Sequence, residues 1–319
     1  METRKLYYED PFQKGFATTV VSCDAVKGGY AVVLAETAFY PEGGGQPYDT
    51  GVLGEANVLE VHEKNGVITH LCDKPFEVGK SVSGKIDWAR RFDHMQQHSG
   101  EHICSGLICE RFHCDNVGFH MGADVVTIDF NADISWDELM EIEQLANLYI
   151  YEDHPIDIQF YRGAELDKVE YRSKKPLEGD VRIVSFPGAD CCACCGTHVV
   201  RSGQVGLVKF LSVQKFRDGV RIELLSGKRA HRYLSECWAQ DVRIAQALSV
   251  KPNASFAGVE RVLAELSALK QRCAKLEESV FAQTAAQYEG KGDVLLFEDE
   301  MSGDSLRKLC DAVTNHCGG

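Results

Sequence analysis

The chain is organised around two segments, Asp93-His-Met-Gln-Gln-His98-Ser-Gly-Glu-His102 and, about ninety residues later, Cys191-Cys-Ala-Cys194-Cys-Gly-Thr-His198. His98 and His102 are four residues apart, so on a helix their imidazoles share one face and can hold one metal ion. Cys194 and His198 have the same spacing in an expected loop or turn. Three imidazole nitrogens and one thiolate suit zinc, which binds His nitrogen at about 2.0 Å and Cys sulfur at about 2.3 Å. The sequence therefore predicts a zinc site made by His98, His102, Cys194 and His198.

The bulk composition is that of an ordinary globular protein with several domains. At 319 residues, 44% of them apolar, the chain is too long for one small core. Neither a signal peptide nor a membrane span is visible, since the first fifteen residues are charged throughout. Thirteen cysteines without an export signal indicate reduced thiols, some of them metal ligands. We expect a cytoplasmic protein that does not bind membranes.

Charge is distributed unevenly along the chain. The net charge is −14, which argues against nonspecific binding of nucleic acid by the whole surface. Between Arg201 and Arg232, however, eight basic residues face only Asp218 and Glu223, a local excess of +6. This basic segment is either a solvated surface or a set of phosphate contacts. Its basic residues are Arg201, Lys209, Lys215, Arg217, Arg221, Lys228, Arg229 and Arg232.

The first 86 residues alternate short β-type runs with turn residues, which predicts a small β-barrel. Asn65-Gly66 lies between two such runs and predicts a hairpin turn. The segment from Phe39 to Gly51, FYPEGGGQPYDTG, contains three consecutive glycines that allow close approach of the backbone to another surface. It lacks the spacing and the Lys-Ser/Thr ending of a phosphate loop. Taken alone, a triple glycine is more often a tight turn.

Residues 87–230 are expected to form an α+β domain that contains the zinc site. A helix is predicted from Asp87 to Phe112, on which His94 joins His98 and His102 in one line. His94 is then a third ligand, a neighbour of the substrate, or a surface residue. A strand from Val125 to Phe130, a helix opened by the capping box Ser135-Trp-Asp-Glu138, and four later strands complete this domain.

The C-terminal part is predicted to be helical. Apolar residues from Val259 to Val280 repeat at alternating spacings of three and four over three heptads, as in a coiled coil. The seam either dimerises the protein or packs in a hairpin on the helix predicted before it. After residue 289 a strand, Val294 to Phe297, and a helix, Leu306 to Asn315, resemble the start of an α/β domain that we expect to be truncated. The predicted fold class is therefore α+β, with four parts: residues 1–86, 87–230, 231–288 and 289–319.

Three motifs together resemble the editing part of alanyl-tRNA synthetase and its stand-alone relatives, the AlaX proteins. They are the glycine-rich segment from Phe39 to Gly51, the H-x-x-x-H pair His98 and His102, and the C-x-x-x-H segment from Cys194 to Val199. Similarity covers roughly residues 30–230, and the C-terminal helices resemble the start of the C-terminal region of the longest AlaX members. The chain departs from the family at Cys195, where a second glycine is frequent. This thiol beside Cys194 raises the prospect of alternative ligation or oxidation.

The resemblance implies a zinc-dependent deacylase of mischarged Ser-tRNA(Ala) and, in some members, Gly-tRNA(Ala). A pocket made for alanine discriminates weakly against one added hydroxyl or one missing methyl, so a second sieve is needed. Thr127 and His120 are candidates for reading the serine hydroxyl, while Glu101 cannot be assigned as a general base. We expect two groups of residues to contact the tRNA, Gly43, Gly44, Gly45 and Gln46 at its 3′ end and Arg217, Arg221, Lys228 and Arg229 at phosphates of its acceptor stem.

Two rival interpretations start from the same residues. His98-Ser-Gly-Glu101-His102 also matches H-x-x-E-H, the inverted zinc-peptidase motif, which leaves the glycine segment and the C-x-x-x-H pair unexplained. The other is a noncatalytic zinc protein that binds tRNA without deacylating it. Assays of peptide hydrolysis and of Ser-tRNA(Ala) hydrolysis separate the three functions.

Overall fold

The computed structural model describes residues 2–173 and 179–317. The chain divides into two compact units, Met1–Leu234 and Ser235–Gly319. Strands and helices are mixed within the first unit, and helices dominate the second, so the α+β class is confirmed. Within the described ranges, none of the helices has the length and apolar character needed to cross a membrane.

The N-terminal part of the first unit is built almost entirely of strands. Its elements are β1 (Arg4–Lys5), α1 (Leu6–Glu9), β2 (Gly15–Val26), β3 (Gly29–Leu34), β4 (Glu36–Thr37), β5 (Gly51–Leu53), β6 (Ala56–Lys64), β7 (Val67–Cys72) and β8 (Ser81–Ile86). Six of these strands pair in the order β2-β3-β7-β6-β5-β8, and β8 also pairs with β2, so this sheet closes on itself. Alternate residues such as Val32, Leu53 and Ile68 are fully buried inside it, as the period of two requires.

The predicted hairpin turn at Asn65-Gly66 is confirmed. Both residues have positive φ, +51° and +77°, and they join β6 to β7. Asparagine and glycine are the residues that tolerate this backbone conformation at two successive positions.

The central part surrounds one long helix. Its elements are α2 (Trp88–Phe112), β9 (Asn116–Met121), β10 (Val126–Phe130), α3 (Trp136–Tyr151), β11 (Asp157–Arg162), β12 (Asp180–Phe186), β13 (Asp190–Ala193), β14 (Val208–Phe216) and β15 (Gly219–Ser226). The strands form a four-stranded sheet, β14-β15-β10-β9, and a three-stranded sheet, β11-β12-β13. Each predicted strand and helix of this region is present, with ends within a few residues of those expected.

Helix α2 begins and ends as its sequence predicts. The Asp87 side chain accepts a hydrogen bond from the backbone N–H of Arg90 and caps the first turn, and His113 adopts a left-handed conformation after the last. The predicted capping box of α3 is also formed between Ser135 and Glu138. Apolar residues from both helices and both sheets, including Met95, Ile128 and Leu139, pack into one core.

Two glycines set how closely other elements approach α2. A Cβ on Gly106 would lie 2.0 Å from the carbonyl oxygen of Ala189, and one on Gly100 would lie 2.1 Å from Ser226 Oγ. Because real Cβ atoms do not approach that closely, only glycine permits these contacts. The first brings the start of β13 directly against the helix face that carries His102.

The second unit contains most of α4 (Gly227–Leu248), followed by α5 (Ser255–Gln287) and α6 (Gly303–Cys317). The end of α5 packs against α6 through Phe281, Ala285, Leu309 and Val313. The predicted seam lies on α5, and its apolar side chains are exposed, from 37% at Val259 to 57% at Leu276. The seam is therefore not covered by an intramolecular hairpin over the described part of this unit.

The predicted strand from Val294 to Phe297 is wrong. These residues lie outside every helix and strand, whereas the helix predicted after them is α6. An isolated strand has no ladder to join, and the described residues of this unit provide no neighbouring strand. The division of the chain into four domains stays a prediction.

Candidate metal centre

Four side chains from two distant segments converge in the first unit. His98, His102, Cys194 and His198 each offer a ligand atom, and these atoms all lie within 4.8 Å of one another. Cys194 Sγ is 3.5 Å from His98 Nε2 and 3.3 Å from His198 Nε2. The three imidazoles are almost fully buried. The convergence predicted from the sequence is thus present.

Each of the three histidines has a hydrogen-bond partner at its other ring nitrogen. His98 Nδ1 donates to Gln46 Oε1 at 2.8 Å, and His102 Nδ1 donates to an Asp190 carboxylate oxygen at 2.8 Å. Ser99 Oγ lies 3.2 Å from His198 Nδ1. Partners of this kind fix the tautomer and the orientation of a metal-binding imidazole and leave Nε2 for the ion. The residues present therefore fit a tetrahedral zinc site.

These partners are themselves held in place. Arg172 makes two hydrogen bonds to Asp190, at 2.7 and 2.8 Å, so this carboxylate bridges a cation and His102. Gln46 Oε1 also accepts from the Thr197 backbone N–H, while Gln46 Nε2 donates to Thr197 Oγ1 at 2.9 Å. The second arrangement orients the Gln46 amide so that its oxygen faces His98.

The electrostatics favour the metal-binding protonation states of two ligands. Burial raises the pKa of the Cys194 thiol, but the three neighbouring imidazoles outweigh burial and hold that pKa well below its ordinary value. Burial lowers the pKa of His198 to about 3, partly offset by Cys194. A thiolate and a neutral imidazole are the forms that bind a metal. Burial also lowers the pKa of His102, but Cys194 and Asp190 raise this pKa by more than burial lowers it. The pKa of His102 therefore lies well above its usual value.

The two segments require close approach at Gly196. A Cβ at this position would lie 2.1 Å from His98 Cε1, so any other residue would displace the ligand.

Cys195, the departure from the family pattern, has its sulfur 3.9 Å from Tyr40 Oη and lines the cavity beside the four-ligand cluster. A second group, His102, Asp190 and Cys192, also has ligand atoms within 4.8 Å of one another, but it shares His102 with the first.

A cavity of about 460 Å³ adjoins the cluster. Its walls include Gly44, Gly45, Glu101, Asn116 and Phe119. Glu101 is buried in this wall, where its Oε1 accepts hydrogen bonds from Ser105 at 2.6 Å and Asn116 at 2.9 Å. Phe119 stacks on His98 with ring centroids 4.9 Å apart. The H-x-x-E-H pattern drew attention to Glu101 as a residue near the ligands, whereas no sequence pattern pointed to Asn116 as part of the cavity wall.

The glycine motif reaches the cavity, and its glutamine side chain is buried beside the four-residue cluster. Gly44 and Gly45 line the cavity, and a Cβ on Gly45 would lie 2.5 Å from the Phe119 ring. Gln46, predicted to contact the tRNA, is only 1% exposed and its amide is occupied by His98 and Thr197. Its side chain therefore supports His98, and a contact between this residue and tRNA stays a prediction.

Thr127 and His120, predicted to read the serine hydroxyl, lie away from the cavity. They are directly opposite each other on β10 and β9, next to the pair Ile128 and Phe119. Because successive side chains of a strand point to opposite faces, Thr127 and His120 face away from the side on which Phe119 lines the cavity. The alternation along each strand carried this information, but which face adjoins the cavity depends on packing.

The basic segment does not form one surface. Arg217 and Arg221 lie at the hairpin between β14 and β15, and Lys228 and Arg229 follow the far end of β15, on the order of 20 Å away along the strand. Arg221 is paired with Asp129 at 2.7 Å, and Arg229 with Asp93 at 2.7 Å. The Arg229 side chain is only 11% exposed, so it faces the protein and not a partner.

His94 is not a fourth imidazole of the cluster. It is 2% exposed, lies outside the four-ligand group, and burial lowers its pKa to about 3. It is therefore not the surface residue considered from the sequence.

The arrangement argues against the inverted zinc-peptidase motif. That motif needs a downstream glutamate beside His98 and His102, and Cys194 and His198 occupy those positions.

Two known families match this chain. The family described as tRNA synthetases class II (A) matches residues 12–90, and the family described as threonyl and alanyl tRNA synthetase second additional domain matches residues 181–223. Both descriptions name parts of aminoacyl-tRNA synthetases, and the second matched range contains Cys194 and His198.

Individual relatives narrow the class further. The chain is 31% identical over 318 residues to the alanyl-tRNA editing protein AlaX-L of Pyrococcus horikoshii, covering 94% of this chain and 75% of that protein. It is 30% identical to the alanyl-tRNA editing protein Aarsd1-B of Xenopus laevis, covering 97% and 79%. It is 36% identical to the alanine–tRNA ligase of Pyrococcus abyssi, covering 98% of this chain but 36% of the ligase. The chain belongs to the AlaX-type family of alanyl-tRNA editing proteins, and it spans about a third of the length of the ligases that it matches.

Proposed function

We propose that this protein hydrolyses the ester bond of wrongly charged tRNA(Ala), releasing serine from Ser-tRNA(Ala) and also glycine from Gly-tRNA(Ala). The observation that carries this proposal is the cluster of three imidazoles and one thiol beside a cavity, with each imidazole Nδ1 held by a protein group. The family relationship supplies the substrate class, because the relatives in question are named as alanyl-tRNA editing proteins.

We propose zinc as the resident ion, held by His98, His102, Cys194 and His198. Zinc at such a site supplies Lewis-acid polarisation and a water of lowered pKa. The four side chains would hold the ion beside the cavity, where it would act on the ester that the cavity binds.

The chain's own residues would bind and orient the aminoacyl end. A cavity of about 460 Å³ is within the range of small-molecule sites and admits a ribose bearing a small amino acid. Phe119 and the backbone of Gly44 and Gly45 form its wall, where a side chain larger than hydrogen would clash. Glu101, held by Ser105 and Asn116, is the carboxylate that faces the substrate, and it would hold a proton donor such as the amino group or a water.

Binding of the tRNA would use the glycine motif and basic residues of the first unit. Of the residues expected from the sequence, Gly44 and Gly45 line the cavity, Gly43 directly precedes them in the motif, and Lys228 is exposed. Arg217 remains a proposed phosphate contact at the hairpin between β14 and β15, where it lies over the Phe216 ring.

We also propose that two copies of the chain associate through residues 259–280 of α5. If Val259, Leu266 and Cys273 are taken as a positions, the flanking g and e′ positions pair Glu265 with Lys270 and Arg272 with Glu277 in a parallel dimer. Both pairs are of opposite charge, which favours the parallel arrangement of two copies.

The deciding experiment is a deacylation panel with purified protein. Ser-tRNA(Ala) and Gly-tRNA(Ala) should be hydrolysed while Ala-tRNA(Ala) survives, and metal analysis should find about one zinc per chain. Cys194→Ala should remove both the zinc and the activity. Binding of tRNA without any hydrolysis would instead identify the noncatalytic tRNA-binding alternative.

A further inference from the structure

A second cavity, which we call the basic cavity, lies one helical turn before the metal ligands. It has a volume of about 430 Å³ and is lined chiefly by Pro47, Arg90, His94, Gly122, Lys228 and Arg232. Arg90 and His94 come from the start of α2, and Lys228 and Arg232 from the first turns of α4. Four separate segments, brought together by the packing of the first unit, therefore build this site.

The charge of the basic cavity is strongly positive. Its titratable lining groups are Arg90, Asp93, His94, Lys228, Arg229 and Arg232. Arg229 makes three hydrogen bonds to Asp93, at 2.7 to 3.1 Å, and a fourth to Gly122 O. The charge of Arg229 thus balances Asp93, the single acidic residue in the lining, and these bonds hold this part of the cavity wall in place. Arg90, Lys228 and Arg232 line the rest of the space, in a protein whose net charge is −14.

His94 provides the observation that points to a ligand. It lines the basic cavity and is 2% exposed, and among residues 2–173 and 179–317 its Nδ1 has no hydrogen-bond partner. Leaving a buried polar atom without a partner is unfavourable by about 1–3 kcal/mol, so a site of this kind is completed when a ligand provides the partner. A neutral imidazole can donate one hydrogen bond to an oxygen.

The chemistry of these groups selects a phosphate. Two guanidinium groups and an ammonium around one opening match the several oxygens of a phosphodiester, which guanidinium binds in a planar, bidentate manner. The position of the basic cavity also favours a phosphate of the substrate, because His94 and His98 are separated by about 6 Å along the helix axis. A phosphate held at His94 would thus lie within roughly a nucleotide of an ester held at the metal centre.

We propose that the basic cavity binds a phosphodiester of the 3′-terminal strand of tRNA and so delivers the terminal ribose to the metal centre. This inference rests on the proposed function for the identity of the nucleic acid. Arg90, Lys228 and Arg232 contact the phosphate, His94 donates to one of its oxygens, and Arg229 is a positioning residue that holds Asp93 away from the anion.

The test measures binding of an uncharged acceptor-stem minihelix ending in CCA as a function of salt. Lys228→Ala and Arg232→Ala should each weaken binding and reduce the slope of log K against log salt by about 0.7–0.9, the value for one lost phosphate contact. Lys80→Ala is the matched control, because it removes the same charge from an exposed lysine outside the basic segment, 3.6 Å from Glu77. Its slope should equal that of the wild type.

A second measurement separates binding from folding. If Ser-tRNA(Ala) is the substrate, Lys228→Ala should raise KM severalfold with kcat nearly unchanged, since uniform binding is lost. Equal salt slopes for Lys228→Ala, Arg232→Ala and Lys80→Ala would overturn the basic cavity as a phosphate site, even in a protein that deacylates Ser-tRNA(Ala). Because the minihelix carries no amino acid, its binding can be judged even when the deacylation panel fails.

Discussion

At the scale of single residues, the candidate metal centre depends on side chains outside the four-residue cluster. Gln46, Asp190 and Ser99 each hold the Nδ1 atom of one histidine, and each comes from a different part of the first unit. Outer partners of this kind orient the ligands and raise their basicity, and losing one typically weakens metal binding 10–100-fold. The glycine motif thus contributes to the metal site through its glutamine.

Gln46→Leu should therefore weaken zinc binding by about 10–100-fold, because the leucine leaves His98 without an acceptor at Nδ1. Competition with a zinc chelator measures this affinity directly. Gln46→Glu is the matched control, since it keeps an oxygen acceptor beside His98 and should lose much less affinity. A Gln46→Leu protein that holds zinc as tightly as the wild type would show that Gln46 does not orient His98.

His70 gives the fold a defined dependence on pH. It is fully buried, its Nε2 lies 2.9 Å from Thr37 Oγ1 and its Nδ1 lies 3.1 Å from Val32 O. Burial lowers its pKa to about 4, partly offset by the hydrogen bond to Val32 O. Between pH 6.5 and 4 the unfolded chain therefore binds this proton and the folded chain does not. The free energy of unfolding must fall as the pH falls through this window.

The expected loss between pH 7 and pH 4 is about 3 kcal/mol from this group alone, at about 1.4 kcal/mol for each unit of pKa difference. Urea unfolding of the wild type and of His70→Gln at both pH values measures the contribution of His70 to the free energy of unfolding. The advantage of the wild type over His70→Gln should shrink by that amount at the lower pH. Parallel behaviour of the two proteins would mean that His70 does not titrate differently on folding.

At the scale of elements, the glycine motif and α2 are joined by a buried ion pair. Arg91 and Asp49 are both inaccessible to solvent, and Arg91 also donates to the carbonyl oxygens of Pro11 and Ala38. Buried charges are tolerated when each is paired and hydrogen-bonded in this way. Since Asp49 lies three residues after Gln46, the pair holds the motif in register with His98.

At the same scale, helix α5 exposes a row of apolar residues to solvent. Its apolar seam is exposed in the single chain, and the charges beside it are complementary between two parallel copies. Leu269→Glu, which places a charge in the seam, should convert a dimer into a monomer of 35.4 kDa. Analytical ultracentrifugation measures the change.

Ala268→Glu is the control for the seam, because it adds the same charge one residue away, at an exposed position outside the a and d sites. It should leave the dimer intact. A wild-type protein that is monomeric at micromolar concentration, or a dimer unaffected by Leu269→Glu, would contradict the assignment of residues 259–280 as a dimer seam.

At the scale of the whole molecule, an acidic protein carries a local basic site. The net charge of −14 repels nucleic acid at long range, whereas Arg90, Lys228 and Arg232 converge on one cavity. Under the proposed function, such an arrangement would confine attraction for phosphates to the basic cavity and disfavour binding elsewhere on the surface.

The four candidate metal ligands and most of the helices and strands could be predicted from local patterns in the sequence. The spacing of His98 and His102, the turn at Asn65-Gly66 and the capping box at Ser135 depend on backbone geometry over a few residues, which is the same in any fold. The strand expected from Val294 to Phe297 failed, because a strand also needs a neighbour with which to form hydrogen bonds.

Only the tertiary structure decided which distant residues meet. That Gln46 supports His98, that Thr127 and His120 face away from the cavity, and that the basic segment divides into two places were all invisible in the sequence. The physical reason is that a local pattern specifies a face or a turn, whereas the partner of that face depends on how helices and strands pack. Glycines such as Gly106 and Gly196 then set how closely those elements approach.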